Sequence, residues 1–64
     1  MTNTANVLRV LTTEPQTVKD IRTRLAEQGT PLWTYEALRS VQHLRKRGLV
    51  VSERPGKLTL WRKA

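Results

Sequence analysis

Apolar side chains recur along the chain in four groups, and the spacing changes from helical to alternating near residue 49. Val7, Leu8, Val10 and Leu11 form a stripe that predicts a short amphipathic helix from about Thr4 to Thr12. Asn3 or Thr4 is placed to cap its start. Pro15 forbids its continuation and biases Glu14 toward extended geometry. Val18, Ile21 and Leu25 fall at i, i+3 and i+7 and predict a second helix, Val18 to Gln28. Thr17, followed by Asp20 three residues later, reads as a variant capping box, and Gly29 as the left-handed residue that closes the helix. Ala37, Leu38, Val41 and Leu44 mark a third helix from about Tyr35 to Arg47, with Thr34 as its cap and Gly48 at its end. Beyond Gly48 the pattern becomes β-branched and alternating. Leu49–Glu53 and Leu58–Arg62 read as strands around Arg54-Pro55-Gly56-Lys57, a type II turn with Pro at i+1 and Gly at i+2. A lone hairpin is marginal in water, so it must lie on the helices, with Val51 and Leu60 or Trp61 as the expected contacts.

The chain thus reads as mainly α with a small β-hairpin: one domain, residues 1–64, too short for two cores. Helix, helix, turn, helix and hairpin, in that order, resemble the winged helix-turn-helix superfamily over nearly the whole length. Two passages carry the resemblance. One is Thr17-Val18-Lys19-Asp20-Ile21 at the start of the second helix. The other is Leu44-Arg45-Lys46-Arg47-Gly48-Leu49-Val50, similar to the Leu-x-x-x-Gly-Leu-Val passage from recognition helix into wing in small bacterial regulators. Trp33 to Leu44 looks closest to the penicillinase-repressor type. The resemblance implies three helices with a two- or three-stranded wing, and a wing that reaches the neighbouring minor groove or its backbone. The turn from Gly29 to Trp33 is longer than that of a minimal helix-turn-helix, which leaves the first residue of the third helix open by a few positions.

Charge changes the picture further. The chain has 12 Lys and Arg against 5 Asp and Glu, a net charge of +7. Residues 1–32 hold four basic against three acidic side chains, and residues 33–64 hold eight against two. The first half is a near-neutral scaffold, and the second carries the field that a polyanionic partner would meet. Catalysis is not expected. There are no cysteines and a single histidine, His43, so neither a thiolate nucleophile nor a histidine metal cluster is available. The glycines are isolated turn residues rather than a phosphate loop. No cofactor and no metal are expected. Apolar runs of three or four residues exclude a membrane span, and the lack of an apolar leader makes a cytoplasmic, nucleoid-associated location the expectation.

Double-stranded DNA is the expected partner. The major groove admits one α-helix, and side chains that reach base edges read the sequence. With Ala37, Val41 and Leu44 facing inward, Glu36, Arg39, Ser40, His43 and Arg47 are expected on the exposed face and Tyr35, Gln42 and Lys46 on its flanks; Glu36, Arg39, Ser40, Gln42 and His43 are the base-contact candidates. Arg39 suits guanine, Gln42 adenine, and Ser40 either; Glu36 can accept from cytosine or steady Arg39 or Ser40 through helical spacing. Backbone contacts fall to Thr17, Trp33, Thr34, Tyr35, Lys46 and Arg47, and wing contacts to Arg54, Gly56 and Lys57. Trp33 has three readings: a core residue, a ring pressed on a sugar-phosphate strand, or part of a protein interface. A lone domain covers only ~600–1,000 Å² of its surface on DNA, which calls for a dimer on paired half-sites or a cooperative array. The first helix or exposed parts of Trp33 and Trp61 would supply the contacts between copies. The expected role is a small transcriptional repressor. A phage or plasmid excisionase-like or architectural factor is the alternative, and a protein-docking winged helix is the reading from another class.

Overall fold

The computed structural model describes residues 3–64. Helices α1 (Asn3–Val10), α2 (Val18–Glu27) and α3 (Thr34–Lys46) precede strands β1 (Val50–Glu53) and β2 (Leu60–Lys63). One core joins all five elements. Val7 and Val10 of α1, Leu11 after it, Ile21 and Leu25 of α2, Val41 and Leu44 of α3, Val50 and Trp61 pack together. Each helical stripe read from the sequence therefore faces inward. The expected cap of α1 is corrected: Asn3 and Thr4 already lie inside the helix, and the cap position falls outside the described residues.

The start of α2 follows the sequence closely. The Thr17 hydroxyl accepts from the Asp20 backbone N–H at 3.1 Å, and the Asp20 carboxylate accepts from the Thr17 N–H at 3.2 Å. Two N–H groups that the helix leaves orphaned are thereby satisfied. Replacing Thr17 with alanine is expected to cost about 1 kcal/mol and to lower the melting temperature by about 4–8 °C, read by thermal denaturation.

Both α2 and α3 end in the same two-bond motif. Gly29 donates to the Ala26 carbonyl at 3.1 Å and Thr30 to that of Leu25 at 2.9 Å; Gly48 donates to Arg45 at 3.0 Å and Leu49 to Leu44 at 3.1 Å. The motif requires a left-handed residue, and Gly29 and Gly48 sit at φ 77° and 78°.

That ending also sets the parity of the hairpin. Because the Leu49 amide is committed to α3, the strand begins at Val50, which is buried, while Val51 is half-exposed. The register pairs Val50 with Lys63, Val51 with Arg62, Ser52 with Trp61 and Glu53 with Leu60. With a side-chain period of two, Val50 and Trp61 share the inner face. The expected contact through Val51 is thus corrected by one residue, and Trp61, not Leu60, supplies the partner. Leu58 is exposed, so the second strand starts two residues later than its alternation predicts. A further stretch, Thr12 to Gln16, lies along the other edge of β2. Gln16 and Trp61 exchange N–H···O bonds of 2.9 and 2.7 Å, and Lys63 donates to the Thr12 carbonyl at 2.8 Å. β2 is thereby the middle strand of a small sheet whose third member is a single bridge.

Candidate nucleic-acid interface

Helix α3 turns Ala37, Ser40, Val41 and Leu44 inward. On its opposite side Tyr35, Arg39, Gln42 and Lys46 stand exposed at i, i+4, i+7 and i+11, one continuous ridge about 16 Å long. His43 and Arg47 flank it on one side and Arg45 on the other, all exposed.

Two of the expected base contacts are corrected. Ser40 is only 5% exposed, and its hydroxyl donates to the Glu36 carbonyl one turn back at 2.9 Å. Serine can be buried there because that bond satisfies it within its own helix. Glu36 is occupied as well. One carboxylate oxygen accepts from the Trp33 backbone N–H at 3.1 Å and the other from the Asn3 side chain at 3.4 Å. It caps its own helix and ties α1 to α3. The cap residue of α3 is Trp33 rather than Thr34, which lies in the first turn; an indole has no acceptor, so Glu36 supplies that half of the capping arrangement.

Grooves run along both sides of the ridge. The groove toward the hairpin, about 620 Å³, is lined by Thr17, Val18 and Lys19 of the α2 start, Leu38, Gln42 and Arg45 of α3, and Ser52, Arg54, Leu58, Thr59 and Trp61. The groove toward α1, about 440 Å³, takes Asn3, Thr4, Tyr35, Glu36, Arg39, Ser40 and His43. The expected residues are therefore divided: Thr17, Gln42 and Arg54 meet on the hairpin side, and Arg39 and His43 on the α1 side. Lys19 and Arg45 line the hairpin groove and were missed by sequence reading. Arg45 sits in the last turn of α3, where a basic residue also suits the helix dipole, and Lys19 is exposed off the apolar face of α2. Position 45 lies one turn beyond Val41 and three residues past Gln42, a helical signal that could have placed it on the flank.

The charges sort themselves in space. Glu14, Asp20 and Glu27 line a third groove along α2 with Arg24, about 650 Å³ in volume. None of these three carboxylates lines either groove beside α3. Arg62 is ion-paired to Glu53 at 2.8 Å, and Arg22 donates to the Leu32 carbonyl at 3.0 Å. Arg45, Arg54 and Lys57 make no ion pair among the described residues. The loop between the strands holds Gly56 at φ 79° and carries Arg54 and Lys57 exposed. Trp33, 75% exposed, is not a core residue, and Trp61, 4% exposed, offers no surface to a second copy. Leu32, just before Trp33, packs against the core, and its carbonyl is held by Arg22 of α2.

No protein-family model matches the chain, and no curated protein matches its sequence. A solved structure is similar to it in fold. The DNA recognition and protein interaction domains of HOP2, described for their homologous DNA pairing properties, include a chain that superposes with a TM-score of 0.84, covering 98% of this chain and 100% of that one at 17% identity. The element order and this likeness establish the winged helix-turn-helix fold that the sequence led us to expect.

Proposed function

We propose that the chain binds double-stranded DNA, with α3 in the major groove and the loop between β1 and β2 on the adjacent minor groove or backbone. The observation that carries this reading is the Tyr35–Arg39–Gln42–Lys46 ridge, bordered toward the hairpin by Arg45, Lys19 and Arg54. A major groove about 12 Å wide accepts one helix, and Arg39 and Gln42 are chemically suited to guanine and adenine edges. Arg45, Lys46, Arg47, Arg54 and Lys57 serve phosphates. HOP2, which shares the fold, is described through its DNA recognition domain, and this supports the same reading. The protein acts as a binding module and not as an enzyme. Its role is that of a small transcriptional regulator, a repressor that occupies its site as a dimer or cooperative array.

The test is selection of bound duplexes from a random pool, followed by fluorescence-anisotropy titration of the selected site. Arg39→Ala is expected to weaken binding about 5- to 150-fold and to relax preference at one base pair. Ser40→Ala is expected to leave affinity within about twofold, because the hydroxyl it removes is turned inward. Failure to bind duplex at low salt, or a loss in Ser40→Ala equal to that in Arg39→Ala, contradicts the proposal.

A further inference from the structure

Two of the chain's three aromatic side chains lie outside the core, two residues apart at the start of α3. Trp33 is 75% exposed and Tyr35 66%. Only the side chain of Trp33 is loose in solvent, because its backbone is held. Its N–H is bonded to Glu36, and the preceding residue, Leu32, accepts from the Arg22 guanidinium at 3.0 Å. Beside the indole is a recess of about 280 Å³ walled by Arg22, Pro31, Leu32 and Glu36. Arg39 donates to the Tyr35 hydroxyl at 3.2 Å, and its guanidinium carbon lies 5.6 Å from the ring centroid. A flat hydrophobic ring on a fixed stem, with Arg22 lining the recess beside it, is what a base bearing a phosphate would meet.

We infer that Trp33 is a stacking platform for unpaired nucleobases, so that the protein recognises duplex DNA interrupted by a single-stranded gap. This rests on the DNA-binding reading above and specifies its substrate. In an intact duplex each base face is covered by its neighbours, and reaching one means unstacking a step. A gap offers free faces without that cost, while the flanking duplex still engages the ridge of α3. Arg22, which lines the recess beside the indole, is placed for a phosphate next to the stacked base. A second copy of the chain is the less fitting occupant of the ring, because each copy brings a net charge of +7 to the contact.

The experiment compares an intact duplex with the same duplex carrying a short central gap, for the full chain and for Trp33→Ala and Trp33→Phe. The wild-type protein is expected to bind the gapped duplex about 5- to 100-fold more tightly, with quenching of Trp33 fluorescence. Trp33→Ala is expected to bring the two affinities together, and Trp33→Phe to keep part of the preference; circular dichroism should show both variants folded, since the ring is outside the core. Equal wild-type affinity for the two duplexes overturns the inference and leaves duplex binding standing. So does an equal loss on both in Trp33→Ala, or sedimentation showing a dimer that Trp33→Ala dissolves. If neither duplex binds, it is the DNA-binding reading itself that falls.

Discussion

Trp61→Ala should unfold the domain, or leave it with only a few kcal/mol of stability, in a urea titration followed by circular dichroism. Truncating a buried tryptophan costs about 3–5 kcal/mol. A chain of this length has about 3–10 kcal/mol in total. Trp61 is also where three parts of the molecule meet. Its ring lies in the common core, its strand pairs with β1, and its backbone exchanges two hydrogen bonds with Gln16. Collapse around the missing ring would have to move the strand, so little of the loss can be recovered. Leu58→Ala, two residues before β2 and exposed, is the control and should change stability by no more than about 0.5 kcal/mol. Similar losses in the two variants would mean that the hairpin is not anchored through Trp61.

Quadrupling the salt concentration should weaken duplex binding about 500-fold, on the basis of about five neutralised phosphates and a logarithmic slope of about −4.5. The five cations are Arg45, Lys46 and Arg47 near the end of α3 and Arg54 and Lys57 in the hairpin loop. Arg45→Gln should make the slope shallower by about 0.9. Arg62→Gln should leave it unchanged, because Arg62 is paired with Glu53 on the outer side of the hairpin. Titrations by fluorescence anisotropy over a series of salt concentrations measure all three slopes. A slope near zero for the wild type, or an equal change in Arg62→Gln, removes the electrostatic basis of the proposal.

The helices were legible because each buries one stripe, and the stripes recur at helical spacing with glycines at their ends. The capping box at Thr17 was legible for the same local reason. Ser40 was not. Its polarity pointed outward, while its burial depends on α1 packing against that side of α3, a long-range contact that residue type does not report. Glu36 was misread in the same way, since its partner Asn3 is 33 residues away. The hairpin parity turned on whether Leu49 belonged to the helix ending or to the strand, and a single residue of difference exchanges the faces. Arg39 lies on the exposed face as expected, but Tyr35, Gln42 and Lys46, expected on the flanks, form the ridge with it, while His43 and Arg47 flank it.

The bridge at Gln16 has a bearing on how the molecule behaves in crowded solution. Because β2 is flanked on both sides, the strand that carries Trp61 has no open rim onto which another chain could add. The rim on one side belongs to the short stretch next to Gln16, where Pro15 has no amide hydrogen to offer. The rim on the other belongs to β1, four residues long and ending in a charged glutamate. Both are poor templates for fibril growth, so the protein should stay dispersed at high concentration despite its small core.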